Sequence, residues 1–144
     1  MMKGTRKIAG ILLCLILWMP VLLPGQNLVP NPSFEQYNSC PNTTSGIVYP
    51  NPPANPYPTV TDWSCPVSAS TPDYFNVCAT QAAVRVPVNT FGYMMPRTGN
   101  AYAGLYVIEE RSDGNYREYV MARLDQALQA GRQYYISFYV SRAG

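Results

Sequence analysis

The chain is 144 residues long and carries ten basic side chains, eight acidic ones and no histidine. Without histidine there is no Ser-His-Asp or Cys-His catalytic arrangement, and a zinc site loses its usual nitrogen ligand. Many prolines, tyrosines, valines and asparagines point instead to a secreted all-β module.

The first residues read as an address. Lys3, Arg6 and Lys7 precede an apolar run from Ile8 to Met19, Pro20 breaks it, and "VLLPGQ" leads to a cut near Gly25 or Gln26. Residues 1–25 are therefore expected to be a signal peptide and 26–144 the exported module, with a retained membrane anchor as the alternative. The run is shorter than the roughly 20 residues that span a bilayer. Losing the leader removes three cations and leaves seven arginines against eight acids, a net charge of −1. These arginines are scattered from Arg85 to Arg142, so no nucleic-acid partner is expected.

The exported part opens with "NLVPNPSFE", Asn27 to Glu35. Pro30 and Pro32 fix their own φ and push Val29 and Asn31 toward extended geometry, which rules out a helix start. "CPNTTSGIVYPNPPANPYP", Cys40 to Pro58, has neither helical nor strand period and reads as a long surface loop; Tyr49 and Tyr57 keep a binding loop open as the alternative. The exported cysteines are Cys40, Cys65 and Cys78. An odd count implies one bridge and one remaining thiol, and spacing alone allows three pairings.

"TVTDW", Thr59 to Trp63, is β-branched and alternating, hence a strand, and "DYFNVC", Asp73 to Cys78, reads as another. "AVRVPV", Ala83 to Val88, is expected to be an edge strand because of Pro87, and "NTFGYMMPRTGN" a loop. The clearest strand is Ala101 to Glu110; Asp113-Gly114 supplies a tight turn, and Tyr116 to Leu124 returns to complete a hairpin. Tyr116 to Leu128 also satisfies helical spacing, and a strand over Tyr116 to Arg123 is preferred. After a turn at Gly131, Tyr134, Ile136, Phe138 and Val140 alternate with Tyr135, Ser137, Tyr139 and Ser141, the period of a strand with one apolar face. Such a strand at a free edge invites aggregation, and six or seven strands fall short of the usual eight or so of a jelly roll, so the chain is expected to be cut short at its carboxyl end.

Together, "NLVPNPSFE", Trp63 with "TPDYFNVC", "TGNAYAGLYV", "REYV" and "LQAGRQYYISFYVS" resemble the amino-terminal jelly-roll module of secreted and surface proteins of Bacteroidetes-type bacteria. That module is similar to the galactose-binding-like, carbohydrate-binding-module superfamily. The resemblance covers nearly all of Asn27 to Gly144 and implies an all-β jelly-roll β-sandwich, which the signal-peptide helix read from residues 1–25 would precede. It also implies that Leu28-Val29 is the first short strand, that Phe34 enters the core with Glu35 at its edge, and that Cys40 and Cys78 pair while Cys65 does not. In relatives the acid of the "FE" step helps hold a structural calcium together with backbone carbonyls and an acid in the final strand. Only Glu35 matches here, so Glu35 is the metal candidate; its plain alternative is a solvated surface acid.

Glycan recognition in such modules uses aromatic faces, and arginines, amides or carboxylates that make paired hydrogen bonds to hydroxyls. The candidates are Tyr93, Arg97, Trp63, Tyr74, Tyr102 and Tyr106, with Tyr93 and Arg97 the best placed for an exposed site; Trp63, like Phe75, also reads as core. No catalytic residue is assigned: Glu109 and Glu110 are adjacent and leave a strand on opposite faces, so they cannot converge on a glycosidic bond. The expectation is a non-catalytic binding module, secreted or at the cell surface or outer membrane. Its partners would be a glycan or cell-surface polymer and the downstream domains of the same full-length protein. The alternative is a structural or adhesive envelope domain, OmpA-like or surface-anchored, that binds no sugar.

Overall fold

A computed structural model describes residues 25–49, 59–112 and 114–143. The leader, residues 50–58 of the proline-rich segment and Asp113 of the expected turn lie outside the described residues. In chain order the strands are β1 (Trp63–Ser64), β2 (Asp73–Asn76), β3 (Val88–Asn89), β4 (Gly92–Tyr93), β5 (Ala101–Gly104), β6 (Glu109–Arg111), β7 (Gly114–Tyr116) and β8 (Met121–Ala122). They pair antiparallel as β1 with β8, β2 with β5, β3 with β4 and β6 with β7. Among the described residues the chain is all-β, apart from one 3₁₀ turn at Ala82–Val84.

The β2–β5 ladder is the longest, with Tyr74 opposite Ala103 and Phe75 opposite Tyr102. All four residues of β2 are buried. Successive side chains leave a strand on opposite faces, so Tyr74 and Phe75 feed different cores. Tyr74 packs with Ile47, Val60 and Ala101, flanked by Phe34 and Trp63. Phe75 packs with Ala79, Val84 and Val86, flanked by Phe91 and Tyr102. Gly104 leaves room for the second ring: a Cβ there would come within 2.7 Å of Phe75 Cε2.

Polar groups close the first core. The Tyr74 hydroxyl donates to Phe34 O at 2.9 Å and accepts from Asn76 Nδ2 at 2.7 Å, and burial pushes its pKa up to about 12. Asp73, also buried, accepts Ser45 N–H at 2.6 Å, and burial raises its carboxyl above the ordinary value. The opening segment is organised by Asn31, whose Nδ2 donates to Gln36 O and Thr61 O, both at 2.8 Å, while its Oδ1 accepts from Gln36 N. Trp63 Nε1 in turn donates to Asn31 O at 2.8 Å.

Cys40 and Cys78 form the disulfide, with Cα atoms 5.7 Å apart. Cys65 is the free thiol; it is buried, donates to Ser70 O at 3.2 Å, and burial raises its pKa.

Several expectations need correction. Asn31 is not extended: its φ is +44°, a value its side-chain bonds hold despite the following proline. Leu28-Val29 is not a strand, although Leu28 O accepts from Asp125 N at 2.9 Å. In Thr59 to Trp63, Val60 makes only an isolated bridge to Tyr37 before β1 begins. Ala83 to Val88 is no continuous strand: the 3₁₀ turn covers Ala82–Val84, Arg85 makes only an isolated bridge to Asn76, and Val88 begins β3. The supposed loop after it contains the β3–β4 hairpin. The hairpin expected over 101–124 is shorter: the chain leaves the sheet after Gly104, and only β6 and β7 pair around the turn, with β8 crossing to β1. Finally, residues 132–143 pair with no strand among the described residues, and both faces of the segment are exposed, with Ile136 at 90% and Tyr135 at 89%.

The two cores give a direct stability test. Phe75→Ala is expected to cost about 3 to 5 kcal/mol through the cavity it leaves, and Tyr74→Phe about 1 to 3 kcal/mol through its unpartnered neighbours; urea unfolding reads both. Asp73 gives a pH test. With its folded pKa above its unfolded one, the native state holds the proton longer, so its contribution is fully present below the ordinary carboxylate pKa and is lost as pH rises through the folded value. The urea midpoint between about pH 4 and about pH 7 should therefore fall more steeply in the natural protein than in Asp73→Asn, whose amide oxygen still accepts from Ser45.

Candidate functional site

The six aromatic and arginine candidates divide by burial. Tyr74 lies wholly inside the first core with its hydroxyl engaged, so no ligand reaches it. Trp63 is half-buried, lies against Phe34 with ring centroids 4.6 Å apart, and has committed its N–H to Asn31. Tyr102 stacks on Phe75 at 4.8 Å and accepts Asn89 Nδ2 at 2.7 Å; burial raises its pKa. These three aromatics build the scaffold.

Tyr93, Tyr106 and Arg97 reach the surface. Tyr93 belongs to β4 and is 69% exposed. Its hairpin is firmly placed. Asn89 Oδ1 accepts Phe91 N–H across the turn at 2.9 Å, Asn89 Nδ2 binds the Tyr102 hydroxyl, and Phe91 meets Phe75 edge-on at 5.9 Å. Gly92, at φ +113°, lets the return strand begin where a side chain would be strained. Met94 N–H then donates to Pro87 O at 2.8 Å. An exposed ring on so constrained a backbone loses little entropy when a flat apolar surface settles on it.

Tyr106 continues a row of rings from the second core outward. Phe91 meets Tyr106 at 6.1 Å, Tyr106 meets Tyr116 at 6.4 Å, and the Arg111 guanidinium lies 3.7 Å above Tyr116. A buried carboxylate sets the end of this row. Glu118 Oε2 accepts Tyr106 N–H at 2.9 Å, and Oε1 accepts from Thr71 Oγ1 at 2.8 Å and the Tyr116 hydroxyl at 3.0 Å. Arg97, in the loop after β4, carries its guanidinium 3.4 Å above the Tyr139 ring. Glu118, Tyr116 and Tyr139 thus shape the surface around the candidates, though sequence reasoning did not select them. Glu118 had no local signal. Tyr139 had one, an aromatic on the face of its segment that also carries Ser137 and Ser141.

Glu35 is not a solvated acid. Oε1 accepts Asn100 N–H at 2.8 Å and Ala101 N–H at 3.1 Å, and Oε2 accepts Asn100 Nδ2 at 3.4 Å. Gly99, at φ +66°, leaves the space that carboxylate occupies. Calcium needs six to eight oxygen ligands, whereas Glu35 faces backbone and side-chain N–H donors, and no group of three potential metal-binding side chains gathers among the described residues. Both carboxylate oxygens of Glu35 are thus engaged by Asn100 and Ala101. Glu109 and Glu110 sit side by side in β6, and Glu109 is bound to Arg111.

No family model, curated protein or solved structure matches the chain.

The Glu35 turn is open to test. Gly99→Ala should destabilise the protein by about 1 to 3 kcal/mol, since its Cβ meets the Glu35 carboxylate and the backbone is left-handed. In a Glu35→Ala background the added cost should shrink, a coupling that a double-mutant cycle in urea measures.

Proposed function

We propose that the exported part of this chain is a non-catalytic carbohydrate-binding module of jelly-roll type at the amino end of a larger secreted or cell-surface protein. The observation that carries the reading is Tyr93, an aromatic face 69% exposed on an anchored hairpin, with Arg97 four residues further on. The ring matches the axial C–H surface of a pyranose, and the guanidinium offers paired donors to vicinal hydroxyls. The resemblance of the opening "NLVPNPSFE" and the later motifs to glycan-binding modules agrees with it; as fold analogy it supports the class and not a particular sugar.

A second reading has an observation of its own. Tyr135, Ile136, Phe138, Tyr139 and Val140 are exposed in a segment with strand alternation. An apolar surface of that size favours a protein neighbour, as a structural or adhesive envelope domain would have.

A glycan array separates the two. The first reading expects binding to at least one polysaccharide, weakened roughly tenfold by Tyr93→Ala with an unchanged unfolding midpoint, because losing the ring removes both its buried apolar area and a face contact, together about 1.4 kcal/mol. Arg97→Ala should weaken it by a smaller factor. Absence of binding to every polysaccharide overturns the glycan reading.

A further inference from the structure

A second surface, remote in sequence from Tyr93, gathers polar side chains that the fold leaves without partners. The β1–β8 register pairs Trp63 with Ala122, so the next step outward sets Asp62 opposite Arg123. There the ladder ends, because Asp62 takes a left-handed φ of +68°. No ion pair forms between the two, and the side chains of Asp62, Arg123, Asp125 and Gln126 make no hydrogen bond among the described residues. All four are exposed and line one groove of about 560 Å³, floored by half-buried Pro30 and Leu124.

The walls are held in place from behind. Asn31 Nδ2 binds Thr61 O at 2.8 Å beside Asp62, and Trp63 Nε1 binds Asn31 O at 2.8 Å. On the other side Asp125 N–H donates to Leu28 O at 2.9 Å, joining the 123–127 stretch to the opening segment. Pro30 of "NLVPNPSFE" therefore sits in the floor of a groove held from both sides, whose volume falls within the range of ordinary ligand sites.

Its chemistry is selective. Two carboxylates accept, one guanidinium donates, and the amide of Gln126 does both. An anionic ligand would face Asp62 and Asp125, and a cationic one would face Arg123. A neutral ring with adjacent hydroxyls satisfies all of them, each hydroxyl donating to a carboxylate and accepting from the guanidinium in charge-assisted bonds. We infer that this groove is a second saccharide subsite, which takes a neutral, hydroxyl-rich sugar by paired hydrogen bonds where Tyr93 would take one by stacking. The inference rests on the glycan reading above and adds a location and a charge class to it.

The test uses the purified protein against immobilised neutral hexose oligosaccharides, polygalacturonate and a lysine-rich peptide. The variants are Asp62→Asn, which tolerates the left-handed backbone, Arg123→Ala, and Tyr93→Ala as the other surface. Neutral oligosaccharides should bind, and Asp62→Asn and Arg123→Ala should each weaken binding roughly tenfold with an unchanged unfolding midpoint, since hydrogen bonds to charged groups are the stronger kind. If neutral sugars bind and Tyr93→Ala weakens them while the two groove variants bind like the natural protein, the subsite is overturned and the glycan reading stands. If no saccharide binds, both fall. Preference for polygalacturonate, or for the lysine-rich peptide, with loss in the groove variants overturns the neutral-sugar assignment.

Discussion

Everything in this fold hangs on one strand buried on both sides. β2 pairs with β5, and its two central aromatics point to opposite faces, Tyr74 into one core and Phe75 into the other. Such a strand carries no amphipathic signature, because neither face meets water. Small partners make it possible. Ala101, Ala103 and Gly104 across the ladder leave room for the large rings, and Gly104 leaves the most.

Around this strand, acids do the work that regular structure would do elsewhere. Asp73 anchors Ser45, Glu35 anchors the turn at 99–101, and Glu118 ties the Thr71 loop to Tyr106 and Tyr116. Each satisfies N–H or O–H donors in loops or at strand ends, which is how a chain with ladders of only two to four residue pairs still accounts for its interior polar groups. The exposed rings are positioned by the same means: Asn89 sets the hairpin of Tyr93, and Glu118 sets Tyr106.

What the sequence reveals follows from how local each cause is. The strand at "DYFNVC" is legible because β-branched and aromatic residues follow a Ser-Thr-Pro turn, and "AYAG" because small residues alternate with a tyrosine. The all-β class follows from composition, and the Cys40–Cys78 bridge from resemblance, not spacing. The β3–β4 hairpin is hidden because Asn89 makes its turn with a side chain and Gly92 with a positive φ. Which tyrosines face outward is hidden too: Tyr74 and Tyr93 look alike in the chain, and only the two-sided burial of β2 separates them. Glu35 looks solvated because its partners lie 65 and 66 residues away. The groove is hidden for the same reason, since Asp62 and Arg123 come to one end of a ladder only through the register of β1 with β8.

The bridge between Cys40 and Cys78 encloses the proline-rich stretch, β1 and all of β2. A protease that cuts once anywhere between those cysteines leaves a single covalent molecule, and the pieces stay side by side for as long as the sulfurs remain oxidised. Wherever proteases are active and reductants scarce, a nicked copy keeps β2 tethered to the opening segment that packs over it.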